Sequence, residues 1–466
     1  MRRELVLTAA ALALGACSLA PKYVQPEAPV PQSWPAGDAY LAASEAALPQ
    51  VALADLFRDP RLLSLIDRAL ANNRDLRVAA ANVAAARAQV RVTRSAQFPA
   101  IGVSGSADYS DGGVSGGTAG GGRESYALQA GVSAFELDLF GRLANATAAE
   151  RDRALATEAG ARTVRLALIA DLAEAWANHA ADRELLAIAR DTAENARSSV
   201  RLTRARLEGG VAPRTDLRQA EQVLATAEGD LALQTAAVAQ DENLIRLLVG
   251  ADYDKALLPA SLAEVRASIA ALPAGTSSQI LLRRPDVVQA EYLLRAANAD
   301  IGVARARLFP TISLTGLLGF ASDALSSLFT GDAFRLSAGA DASLSIFDAG
   351  GRRAGVAVSE AQRDAALAAY EGAIQAAFRE VADALADQGT LGERLRAVQA
   401  NSEAAADTAR LTDARYRGGV DSFLSSLDAQ RSLYGARRSE IAVQLAAVRN
   451  RITLYRALGG DSGASN

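Results

Sequence analysis

The side chains able to do chemistry are few, and their spacing excludes most of it. A single cysteine, Cys17, follows Arg2, Arg3 and an apolar run from Leu5 to Ala16, so no intrachain disulfide can form. The lone histidine, His179, sits midway along a helix-forming run, where packing or solvent contact is its ordinary role. No Cys/His cluster has zinc spacing, and no Ser/His/Asp set can be assembled. The only lysines are Lys22 and Lys255, so a GxxxxGK[ST] phosphate loop is absent. The glycine-rich stretch from Ser110 to Ser125 lacks the Lys and Ser/Thr that a phosphate cradle needs. With a net charge of −4, nothing points to nucleic acid. An enzyme, a bound cofactor and a nucleotide-driven motor are therefore not expected. Charged residues are plentiful, and many can pair along a helix face. Leu424, Asp428 and Arg431, four and three apart, share one face of a helix. Taken alone, Asp428 and Arg431 are a surface pair worth about 0.2–0.5 kcal/mol.

Long helices must carry these residues. Arg142 to Glu208 contains no proline and one glycine, and as a helix it would run about 100 Å. It must end at Gly209-Gly210-Val211-Ala212-Pro213, where Thr215 or Asp216 can cap a return helix to Leu248. The pattern recurs: a run from Gly351 to Arg417, a tip at Gly418-Gly419-Val420, and a return to about Leu458. Aligning Gly209 with Gly418 sets Arg206 on Arg415 and Gly250 on Gly459 without a gap.

The preceding segments are duplicated too. Val287, Ala290, Leu294, Ala297, Ile301, Ala304 and Leu308 form an apolar helical stripe that Phe309-Pro310 ends. Leu76, Ala79, Val83, Ala86 and Val90 form the matching stripe in a helix expected from Pro60 to about Gln97, before Phe98-Pro99. The chain is an internal duplication. Each proline precedes alternation with a period of two. Strands are expected at Ile101–Tyr109, at Tyr126 to about Leu139 with Tyr126, Leu128, Ala130, Val132 and Ala134 on one face, at Thr311–Phe320, and at Phe334–Phe347. In the last, Phe334, Leu336, Ala338, Ala340, Ala342, Leu344 and Ile346 alternate with Arg335, Ser337, Gly339, Asp341, Ser343 and Ser345. An apolar face opposite a polar, charged one suits a membrane barrel around water, or a soluble sheet packed on helices. Four strands cannot close a barrel, and open edges in hydrocarbon leave backbone groups unpaired, so a barrel requires several copies, two or three.

The segment RRPDVVQAEYLLRAANADIGVARARLFPTISLTG, the earlier LFRDPRLLSLIDRALANNRDLRVAAANVAAARAQV and the arm from Tyr23 through Pro26 to Trp34 resemble TolC-type outer-membrane efflux proteins, in the lipid-anchored OprM and NodT branch. The resemblance spans nearly the whole chain. It implies a mixed α and β fold: a long-helix periplasmic α-barrel continuous with a transmembrane β-barrel, each built by a homotrimer, with twelve strands in total. It also implies the exit duct of a tripartite efflux system for small toxic compounds, working with a periplasmic adaptor (membrane fusion) protein and a proton-driven inner-membrane transporter of the RND type. The alternatives are a duct for type I protein secretion and a periplasmic helical scaffold lipoprotein.

Leu14-Gly15-Ala16-Cys17 resembles a lipobox, which implies a diacylglycerol and an N-acyl chain on Cys17 and attachment to outer-membrane lipid; the other reading is an ordinary signal peptide. The implied organisation is a signal peptide (1–16), a lipidated arm (17–59), a first repeat (60–250), an equatorial linker (251–283), a second repeat (284–460) and a disordered tail (461–466). By position in the family, Leu424, Asp428 and Arg431 resemble the rings of a periplasmic gate. Asp216 and Tyr416 resemble a clasp between hairpin tips. Gly209-Gly210-Val211 and Gly418-Gly419-Val420 resemble adaptor-docking turns. Two departures stand out: Ser425 replaces a second acidic ring, and Asp421 replaces a basic residue of the clasp.

Overall fold

The computed structural model describes residues 18–40, 53–110, 123–270 and 278–460. Cys17, most of the glycine-rich loop and the 461–466 tail lie outside the described residues. The long elements are α1 (Pro60–Asn72), α2 (Arg74–Ser95), β1 (Ile101–Ser110), β2 (Arg123–Leu137), α3 (Arg142–Glu208), α4 (Arg214–Val249), α5 (Leu262–Ser268), α6 (Pro285–Ala306), β3 (Thr311–Ser322), β4 (Phe334–Ser343), α7 (Gly351–Arg417) and α8 (Phe423–Ala457). They form two compact units, each drawn from both repeats. Among the described residues, one takes in those up to 27, 82–158 and 289–371; the other takes in those of 28–81, 159–288 and 372 onward. Among the described residues no helix is long and apolar enough to cross a membrane.

The first unit holds an antiparallel meander, β1-β2-β3-β4. Its register brings Ile101, Val132, Gly316 and Ala338 into one row, then Val103, Ala130, Leu318 and Leu336, then Gly105, Leu128, Phe320 and Phe334. Directly paired residues share a face, so one whole face of the sheet is apolar. It is also bare, with Ile101 80% and Leu336 74% exposed. The opposite face carries Ser104, Gln129, Thr315, Arg335 and Asp341. Among the described residues, β1 and β4 have no partner on their outer sides.

Two strand expectations need correction. Ala134 does not continue the apolar face of β2. A one-residue bulge between Val132 and Phe135 puts Ala134 at φ 62° and passes the apolar side to Phe135 and Leu137, opposite Leu314 and Ile312. β4 ends at Ser343, so Leu344 and Ile346 lie beyond it. In the same unit the arm packs along α6. Asn298 Nδ2 donates to the Pro21 carbonyl at 2.7 Å, and Tyr23 and Gln25 both reach Glu291. At Gly302 an added Cβ would lie 2.8 Å from Ala20, so only glycine admits the arm.

The second unit is helical. The single helix expected from Pro60 breaks at Asn73, which is extended and caps α2: its Oδ1 accepts from Leu76 N at 3.1 Å. Side chains of this type bond their own backbone, and they end helices for that reason. The long runs behave as expected, α3 and α7 spanning Arg142–Glu208 and Gly351–Arg417. Neither Thr215 nor Asp216 caps α4. Pro213 stands at that position without a side-chain bond, its carbonyl accepting from Asp216 N.

Candidate functional site at the hairpin tips

Both helical hairpins turn by the same hydrogen bonds. Gly209, Gly210 and Val211 donate to the Ala205, Leu207 and Arg206 carbonyls, as Gly418, Gly419 and Val420 donate to those of Ala414, Tyr416 and Arg415. This is a Schellman-type end, and it needs a left-handed residue. Gly210 (φ 72°) and Gly419 (φ 76°) supply it. Gly209 and Gly418 do not have positive φ, so the turn alone does not account for them.

The side chains around the two turns differ. At the second tip Arg415 grips Asp421 through two bonds of 2.7 and 3.0 Å, and this guanidinium holds the Asp421 carboxyl below its usual range. At the first tip the place of Asp421 is taken by Ala212, and Arg206 instead lies over the Tyr416 ring, 4.9 Å from its centroid. Tyr416 is buried with Val200, Ala220, Phe423 and Leu427, and its ring is 5.5 Å from that of Phe423. Its hydroxyl is buried without a hydrogen-bond partner. Asp216 is half-buried and, among the described residues, has no ion pair. Within one chain, then, Asp216 and Tyr416 are not hydrogen-bonded to each other.

Ser422 opens α8, its Oγ accepting from Ser425 N at 3.3 Å. Downstream, Phe423, Ser426, Leu427 and Ala429 are buried, while Leu424, Ser425, Asp428 and Arg431 form the exposed face. Leu424 is 50% exposed, and Asp428 meets Arg431 at only 3.9 Å with both side chains in solvent. Such a pair contributes little to stability. A cleft of about 470 Å³ beside these residues is lined by Asp230, Asp413, Tyr416, Phe423, Arg431 and Tyr434. Among the described residues no three His, Cys, Asp or Glu side chains are grouped to hold a metal.

Arg206 and Phe423 were missed as site residues from sequence. The signal available for Arg206 was its alignment with Arg415, one turn before each glycine pair.

Comparison with known proteins bears on the whole chain. Residues 65–251 and 276–460 match the family described as Outer membrane efflux protein, one match per repeat. The chain is 41% identical to a toluene efflux pump outer membrane protein, TtgC, of Pseudomonas putida, over 98% of this chain and 95% of that one. It is 38% identical to the cation efflux system protein CusC of Escherichia coli, over 97% of each chain. Among solved structures, the Neisseria gonorrhoeae MtrE outer membrane channel in its open state superposes with a TM-score of 0.82 at 32% identity, covering 95% of this chain and 98% of that one.

Proposed function

The chain belongs to the outer membrane efflux protein family and is an outer-membrane exit duct of a tripartite efflux system, and on that premise we propose how the duct is closed, anchored and docked. It is a channel protein and not an enzyme, with its sheet in the outer membrane and its helical hairpins in the periplasm. The expected class, an α-barrel and a β-barrel each completed by three copies, is the class of this family. The bare apolar face and two unpaired edges of the sheet agree with it, since strand edges facing lipid must be paired.

The gate reading rests on one observation: Leu424, Asp428 and Arg431 are exposed together while the other side of α8 is buried. In a trimer this face makes three stacked rings. The leucines discourage hydrated solutes, and the aspartates attract cations. Asp216, unpaired within its own chain, is left to contact a neighbouring copy beside Tyr416. Gly209 and Gly418, which the turns do not require, leave bare backbone for a periplasmic adaptor at both Gly-Gly-Val tips. The inner-membrane partner is a proton-driven RND transporter, and selectivity lies there. The duct itself passes small toxic compounds; relatives of similar identity carry names as different as toluene and cation efflux. Replacing Asp428 and Arg431 by alanine is expected to raise single-channel conductance in planar bilayers, and Leu424→Ala to do likewise. Unchanged conductance in all of these variants would remove this face from the gate.

Cys17 carries the lipid. What supports this is the Leu14-Gly15-Ala16-Cys17 sequence, which resembles a lipobox; the neighbouring Ser18 donates its Oγ to Asn145 Oδ1 at 2.8 Å. Cys17→Ser should abolish labelling by radioactive palmitate while the channel still assembles; labelling that persists refutes the anchor.

A further inference from the structure

We propose that Arg206 is the intrachain latch between the two hairpin tips, acting through the face of the Tyr416 ring and not through its hydroxyl. The inference deepens the gate reading above and rests on it.

The duplication isolates the cause. Arg206 and Arg415 occupy the same position, one turn before their glycine pairs, so backbone geometry aims both the same way. Arg415 is consumed at home by Asp421, two bonds away from any role between hairpins. Arg206 has alanine where that carboxylate would be, and among the described residues it has no ion pair. Its guanidinium therefore reaches the other hairpin. The residue it meets is the second repeat's substitute for Leu207: Tyr416, the one aromatic at that step.

A guanidinium within about 6 Å of a ring centroid is attracted by the negative face of the ring, and a half-desolvated site strengthens the attraction. The ring is held for this purpose by Phe423, Leu427, Val200 and Ala220. Within its own chain its oxygen has no partner to lose. Moving the hairpins apart must pull Arg206 off the ring and open the Tyr416 cluster, next to the cleft that Tyr416 and Phe423 line. Tyr416 sits seven residues before Phe423 and eight before Leu424, so motion at the latch is delivered directly to the start of α8 and the gate face.

The test is single-channel recording of the full-length channel in planar bilayers. Arg206→Ala should raise the open-to-closed ratio about two- to fivefold per subunit, the fold-change that a cation–ring contact of ordinary strength gives. Arg206→Lys, which keeps the cation, should fall between wild type and alanine. Tyr416→Leu should open the channel, and in the double variant the effects should not add. Tyr416→Phe, which keeps the ring face, should open the channel far less than Tyr416→Leu does. If Tyr416→Phe opens the channel as Tyr416→Leu does, the hydroxyl is the latch and the proposal is overturned. If Leu424→Ala opens it and Arg206→Ala does not, the latch falls while the gate stands. If neither opens it, the gate reading falls and the latch with it.

Discussion

The joint where a return helix ends against a strand-bearing helix occurs once in each repeat, and the two joints solve the same problem with different chemistry. Asn73 and Arg284 lie equally far ahead of Pro99 and Pro310, and Leu248 and Ala457 each lie two residues ahead of Gly250 and Gly459. Asn73 Nδ2 donates to the Leu248 carbonyl at 2.9 Å; Arg284 Nη1 donates to the Ala457 carbonyl at 2.7 Å. The address of the bond is the same in both repeats while its donor differs, a neutral amide in the first and a charged fork in the second. The consequence is local. Asn73 has a second duty as the cap of α2, and the helix breaks there. In the second repeat Pro285 starts α6, and Arg284 is free to gather Asp286 and Glu380 as well. A duplicated fold can thus keep a hydrogen-bond position and load it with new work.

Removing each donor tests whether the charge or the address matters more. Arg284 is only 8% exposed at its side chain, whereas Asp286 and Glu380 are 39% and 46% exposed. Alanine at 284 strips two carboxylates and one helix-end carbonyl at once, and we expect a loss of about 3 kcal/mol, the low end for a broken buried pair because solvent screens the carboxylates. Alanine at 73 removes a helix cap and one carbonyl partner, worth about 1–2 kcal/mol. Thermal unfolding of the detergent-solubilised channel should therefore show the larger drop in Tm for Arg284→Ala. Equal drops would mean that the carbonyl contact alone carries the joint.

How far such features could be read in advance depends on whether their cause is local. The bounds of α3 and α7 were readable because proline is absent from both runs and a Gly-Gly pair marks each tip. The strands were readable by alternation, and the resemblance supplied the family. The break at Asn73 was hidden, since the apolar stripe runs on past it and only a side-chain bond to Leu76 N ends the turn. The bulge left a trace that could have been followed: the apolar parity of β2 shifts from Val132 to Phe135, so the face cannot continue through Ala134. The arm on α6 and the meeting of Arg206 with Tyr416 could not be read, because each contact joins residues more than two hundred positions apart; alignment with Arg415 marks Arg206 but not its partner.

A subtler contrast lies higher on the same hairpins, where Asp241 of α4 aligns with Asn450 of α8. Asn450 is buried and satisfied, its Nδ2 donating to the Ala384 carbonyl at 2.8 Å. Asp241 has a buried Oδ2 with no donor. Burial and the facing Asp182 carboxylate push its carboxyl up to about 7, against a partial pull from Arg449, which is itself bonded to Asn178 Oδ1. A carboxyl raised above its unfolded value of about 4 leaves the folded chain holding the extra proton between those two pH values. The contribution of this one group to stability is then fullest below about pH 4, declines as pH rises towards 7, and stays reduced above it. Asp241→Asn gives the first repeat the second repeat's solution, a neutral amide able to donate to Asp182. Its Tm should exceed that of wild type clearly at pH 8 and by much less at pH 5. A difference of the same size at both would show that Asp241 is already ionised across this range, its charge held by Arg449, and that the two hairpins differ there in shape alone.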